Sequence, residues 1–188
     1  MNKIFKNCWF SILLTISLGI LIIPTVVFAS ESDNVSYNEV EHVGIRVEKY
    51  LVMDGTYLYF DYDSAKKNNE PQEVIDQGLL LESTSNYFNS DGTALEKGLK
   101  ISIPVWGNYC GPGYSGDDFT KEAQDILDEG CKNHDMCYKW GLSLTQNCEC
   151  NRALIKHIDD HKNEMSGKMA KVAWAIRTYF STVGMVGC

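Results

Sequence analysis

The sequence predicts a mainly α-helical, disulfide-stapled unit preceded by a small β-hairpin and helix region, so α+β overall. Three observations predict this. Six of the seven cysteines lie at or after Cys110, which places any covalent framework in the C-terminal half. Met169, Val172, Ala173, Ile176 and Phe180 recur at helical spacing. Two alternating runs meet at Asp54-Gly55, a pair typical of a two-residue hairpin turn.

The first 29 residues read as a targeting signal and not as part of the fold. Lys3 and Lys6 precede an apolar run from Cys8 to Ala29, and Val27-Phe28-Ala29 offers a peptidase site before Ser30. Cleavage there leaves 159 of the 188 residues and removes Cys8. An even set of six cysteines in an exported chain reads as a disulfide framework and a secreted, extracellular protein. The net charge of −8 becomes −10 without Lys3 and Lys6, and so acidic a chain is a poor nucleic-acid binder.

Residues 30–100 form an accessory region with no recognisable chemistry. Ser30 to Glu41 is polar and aperiodic, as in a flexible linker. The hairpin is expected to pair Met53 with Thr56, Leu51 with Leu58 and Val47 with Tyr62. It would bury Ile45, Val47, Leu51, Leu58 and Phe60, and wet Glu48, Tyr50, Tyr59 and Asp61. Asn69 can cap a helix with Pro71 in its first turn, running to about Phe88 with Val74, Ile75, Leu81 and Phe88 inward. Residues 101–188 carry the chemistry. One helix starts near Thr120 or Asp125 and reaches Trp140, with an interruption possible at Gly130. A second spans about Leu144 to Met165, and a third about Lys168 to Thr182.

The informative stretch is Trp106-Gly107-Asn108-Tyr109-Cys110-Gly111-Pro112-Gly113, followed by Asp128-Glu129-Gly130-Cys131-Lys132-Asn133-His134-Asp135-Met136-Cys137-Tyr138. Cys131 and Asp135 are four apart and share a helix face. If Cys131 bonds Cys110, the glycine loop is pinned beside Asp135. Gly111 and Gly113 can then turn carbonyls inward, because glycine reaches backbone angles closed to other residues. Carbonyls plus one carboxylate make an oxygen site suited to a hard cation such as Ca2+ and not to zinc. His134, next to Asp135, could deprotonate a water near neutral pH, and the Gly111 amide could add an oxyanion donor. If Cys137 bonds Cys150, Asn151 comes close to His134, which leaves Cys148 with Cys188. Six cysteines allow 15 pairings, and the order of Cys148 and Cys150 is the least determined.

The glycine loop, the Cys-x-x-His-Asp-x-Cys-Tyr helix and the Cys148-x-Cys150 pair together resemble the secreted phospholipase A2 superfamily, over residues 106–152. The resemblance implies a phospholipase A2-like catalytic domain acting on the sn-2 ester of phospholipids at a membrane or micelle surface. It implies Ca2+ ligands from the carbonyls of Tyr109, Gly111 and Gly113 and the carboxylate of Asp135. It also implies His134 as general base and Tyr138 as a brace. One position departs from the pattern: Asn151 stands where the family usually has an Asp that orients the histidine and offsets its charge. Asn can accept the same hydrogen bond but carries no charge. The alternative reading is therefore a non-enzymatic calcium- or membrane-binding homologue. His157 and His161, four apart, read as a helix face and not a metal pair. Trp106 and Trp174 read as core or lipid-interface anchors.

Overall fold

The computed structural model describes residues 34–89, 106–111, 119–138 and 147–188. The signal segment, Gly113, Trp140 and Leu144 lie outside the described residues. Helix α1, Tyr37–Val47, starts inside the stretch that reads as a linker. Its cause is a capping box: Glu39 N–H donates to the Ser36 hydroxyl, and Ser36 N–H donates to the Glu39 carboxylate at 2.8 Å. Tyr37, Val40, Gly44 and Val47 then fall on one buried stripe. Alternation and helical periodicity are hard to tell apart in so short a run, so Ile45 and Val47 are helical and do not belong to a strand.

After a single 3₁₀ turn, the hairpin comprises β1, Leu51–Asp54, and β2, Tyr57–Phe60. The turn is Gly55-Thr56 and not Asp54-Gly55, with Gly55 at φ 59°. The register follows as Leu51 with Phe60, Val52 with Tyr59, Met53 with Leu58 and Asp54 with Tyr57. Each partner is thus two residues away from the expected pairing of Met53 with Thr56, and so each side chain keeps its face. Leu58 and Phe60 point inward, as their alternation in the sequence requires.

Helix α2, Tyr62–Lys67, is closed by Asn69 in the left-handed region at φ 54°. Asn69 N–H donates to Lys66 O and Glu70 N–H to Ala65 O, the paired bonds of a Schellman terminus. Asn69 thus ends one helix and does not cap the next. Helix α3, Gln72–Asn89, begins after Pro71 and buries Val74, Ile75 and Leu81. Helix α4, Ile126–Cys137, starts at the Asp125 cap and runs unbroken through Gly130. A Cβ on Gly130 would meet the His157 ring at 2.5 Å, so that glycine permits close approach of the next helix. Helix α5 is Cys148–His161, with a 3₁₀ turn over Lys162–Glu164 in place of the last helical turn expected. Helix α6 is Gly167–Thr182.

Helix α6 packs against α1, α3 and α5. Its Ala170, Ala173, Trp174 and Ile176 join Val40, Phe60, Ile75, Leu127 and Ile158 in one buried cluster. The elements before residue 90 and the stapled helices therefore share a core, and residues 31–188 form one compact unit. Among the described residues, no helix is long and apolar enough to cross a membrane. Three disulfides hold the C-terminal half: Cys110–Cys131, Cys137–Cys150 and Cys148–Cys188.

The α1–α6 crossing gives a test in which two effects oppose. Alanine normally favours a helix over glycine by about 1 kcal/mol. At Gly44, however, a Cβ would lie 2.3 Å from the buried Trp174 indole. Gly44→Ala is expected to lower stability by about 1–3 kcal/mol, the usual cost of overpacking. Urea unfolding followed by tryptophan fluorescence reads the sign directly.

Candidate active site

The loop that carries Tyr109 and Gly111 is built around one buried carboxylate. Asp128, fully buried in the first turn of α4, accepts from the backbone N–H groups of Asn108, Tyr109 and Gln124 at 2.8–3.0 Å. Gly107 makes the approach possible: its φ is 61°, and a Cβ there would fall 2.2 Å from the Asp128 carboxyl carbon. Asp125 works beside it. One of its oxygens caps Leu127 and Asp128 N–H at 3.0 Å, and the other accepts from the Trp106 indole at 2.6 Å. Trp106 is thus part of the scaffold. The sequence signal for this arrangement is two acids at the start of a helix, where N–H groups lack partners.

Tyr109 is buried, with its hydroxyl donating to Lys121 O at 2.6 Å and its ring stacked on Phe119. The Cys110–Cys131 disulfide fastens the next residue to α4. Gly111 then takes φ 145°, and a Cβ there would lie 2.8 Å from the Tyr87 ring. The end of α3 therefore presses on the loop.

His134 is buried on α4, one residue from Asp135, with Phe180 and Tyr138 flanking its ring at 4.8 and 5.2 Å. Its Nε2 lies 3.0 Å from Asn151 Oδ1. The Asn151 amide nitrogen donates to Gly184 O at 2.7 Å. A carbonyl can only accept, so the NH2 must face Gly184 and the oxygen must face His134. Nε2 must then carry a proton, and in the neutral ring Nδ1 keeps the lone pair. Nδ1 is 3.8 Å from Asp135 Oδ1, too long for a hydrogen bond. Burial pushes the Asp135 carboxyl above the usual carboxylate range, and the neighbouring imidazole offsets part of that rise. Burial likewise pushes the Tyr138 hydroxyl up.

Tyr109, Gly111, His134, Asp135 and Tyr138 line one cavity, with Phe88, Leu154, Ile176 and Phe180 forming its apolar side. Asn151 sits behind His134, out of solvent. Gly113 lies outside the described residues. Among the described residues no three His, Cys, Asp or Glu side chains gather to hold a metal. A cation here would rely on backbone carbonyls with Asp135, a hard-oxygen donor set that fits Ca2+. His157 Nε2–H donates to Ile126 O at 2.7 Å, and Trp174 packs on Gly44, so both are structural. No protein-family model, curated protein or solved structure matches this chain.

Two substitutions test this geometry. Asp128→Asn replaces an acceptor oxygen by an amide facing buried N–H groups, and is expected to cost about 2–4 kcal/mol. Hydrogen exchange should show it, with the Asn108, Tyr109 and Gln124 amides losing protection first. Asn151→Asp puts a carboxylate oxygen against Gly184 O with no proton between them. It is expected to lower stability by about 2 kcal/mol or more in urea titrations.

Proposed function

We propose that this chain is a secreted, calcium-dependent phospholipase A2 that hydrolyses the sn-2 ester of glycerophospholipids. The observation that carries the proposal is that the Asn151 oxygen takes the Nε2 side of His134, a cavity-lining residue, and leaves Nδ1 toward Asp135. Nδ1 takes a proton from a water molecule, and the water oxygen attacks the ester carbonyl carbon. When the resulting tetrahedral centre collapses, the proton passes from Nδ1 to the departing glycerol oxygen. The products are a free fatty acid and a lysophospholipid. Throughout, Asn151 holds Nε2–H so that the ring cannot turn.

The residues that would hold Ca2+ are Tyr109, Gly111 and Gly113, through their carbonyls, and Asp135, through its carboxylate. When bound, the ion polarises the ester carbonyl and stabilises negative charge on its oxygen. The three disulfides suit an oxidising, extracellular compartment.

A second reading is favoured by one observation: Asn151 is uncharged, so nothing ionic offsets the imidazolium formed during turnover. On that reading the chain binds calcium and lipid without hydrolysis. Fatty-acid release from phosphatidylcholine vesicles decides between them. Release is expected to need calcium, to stop with chelator, and to fall about 10²–10⁴-fold in His134→Gln. Equal rates with chelator, or full activity in that variant, overturn the proposal. Calcium binding without any release supports the second reading.

A further inference from the structure

The hairpin presents an apolar face that the core does not use. Val52 and Tyr59 are direct cross-strand partners, and Tyr57 lies two residues from Tyr59, so the three share one face. Val52, Tyr57 and Tyr59 are 53%, 38% and 40% exposed. The Tyr57 and Tyr59 rings stack at 6.1 Å. The opposite face is spent on packing: Phe60 fills the space left by Gly78, and Leu58 N–H donates to Ser85 Oγ at 2.7 Å.

The turn of the hairpin is joined to the helix end that walls the cavity. The Asn89 amide nitrogen at the end of α3 donates to Thr56 O in the hairpin turn at 2.6 Å, and lies 3.4 Å from the Tyr179 hydroxyl. The Tyr179 ring stacks on Phe88 at 5.0 Å, and Phe88 lines the cavity. The hairpin turn and the apolar cavity wall are therefore tied to the same helix end.

We propose that the outer face of the hairpin, formed by Val52, Tyr57 and Tyr59, docks the protein on a zwitterionic phospholipid surface and sets the cavity against it. This rests on the phospholipase reading for its purpose, though not for its geometry. Tyrosines with apolar bodies and polar tips suit the headgroup boundary, where one end is wet and the other is not. Charge decides the lipid. From Glu48 to Lys67, three lysines stand against four carboxylates, and the whole chain carries −8. No basic excess is present here to draw the hairpin to an anionic leaflet.

The test uses protein beginning at Glu31, where the compact unit starts. It compares wild type with the triple variant Val52→Thr, Tyr57→Thr, Tyr59→Thr, which keeps strand propensity while removing the apolar surface. Cosedimentation with phosphatidylcholine vesicles should show the wild type bound, and more weakly bound to phosphatidylglycerol vesicles. The triple variant should bind phosphatidylcholine vesicles roughly tenfold more weakly or worse. Its hydrolysis of a dispersed short-chain phosphatidylcholine below the micelle concentration should stay unchanged, which also reports that it folds. Equal vesicle binding by both proteins overturns the proposal. So does a concentration-dependent dimer that the triple variant abolishes, since a second copy would then occupy this face. If vesicle binding depends on the hairpin but neither lipid form is hydrolysed, the docking surface stands and the phospholipase reading fails.

Discussion

One buried carboxylate organises the half of the molecule that carries the candidate site. Asp128 collects N–H groups from Asn108 and Tyr109 on one segment and from Gln124 on another. A buried carboxylate without partners would be very costly, and buried amides without an acceptor cost about 1–3 kcal/mol each. Each side of this contact therefore needs the other. The loop is curled by its hydrogen bonds, and the Cys110–Cys131 disulfide fixes where the curled loop meets α4. Without Asp128 that disulfide would join α4 to a loop whose carbonyls had no set direction.

The histidine is positioned by a different device. A carboxylate behind an imidazole fixes its tautomer through charge. An amide must be oriented before it can do the same, because a flipped Asn would offer a donor where an acceptor is needed. The Gly184 carbonyl supplies that orientation at 2.7 Å. Gly184 belongs to the turn following α6, and its segment ends in the Cys148–Cys188 disulfide. Cys148 lies three residues before Asn151 on α5, so the bridge ties together the two segments that meet at this amide. An uncharged partner thus fixes the ring only because the chain's last turn is covalently held in place.

The sequence made the stapled helices legible because their signals are local. Asp125 as a cap, the His134-Asp135 pair on a helix and the stripe from Met169 to Phe180 need no distant information. The hairpin was legible as a hairpin, but its register was not: Asp54-Gly55 and Gly55-Thr56 both fit a tight turn, and one residue separates them. The polarity of residues 30–41 concealed α1, since a capping box is built from the same Ser and Glu that make a stretch look like linker. Gly130 looked like a break because its reason for being glycine, the His157 ring, lies on another helix. The role of Gly184 was out of reach for the same cause. Its carbonyl meets Asn151 from 33 residues away, and a backbone acceptor leaves no trace in the residue type.

The shared core also changes what the region before residue 90 is. The end of α3 touches both halves of the cavity: Tyr87 lies against Gly111 of the loop, and Phe88 packs edge-on against Phe180 at 5.1 Å, which itself covers His134. Those rings cover most of the imidazole and lower the local dielectric, so that the Asn151 dipole acts on it more strongly than it would in water. An uncharged residue behind the histidine is thus most effective in a site walled as this one is. The wall comes from the N-terminal elements, and the orienting carbonyl comes from the opposite end of the chain. The short motif between residues 106 and 138 holds the proposed reacting groups, but the side chains that surround them are assembled from segments on both sides of it.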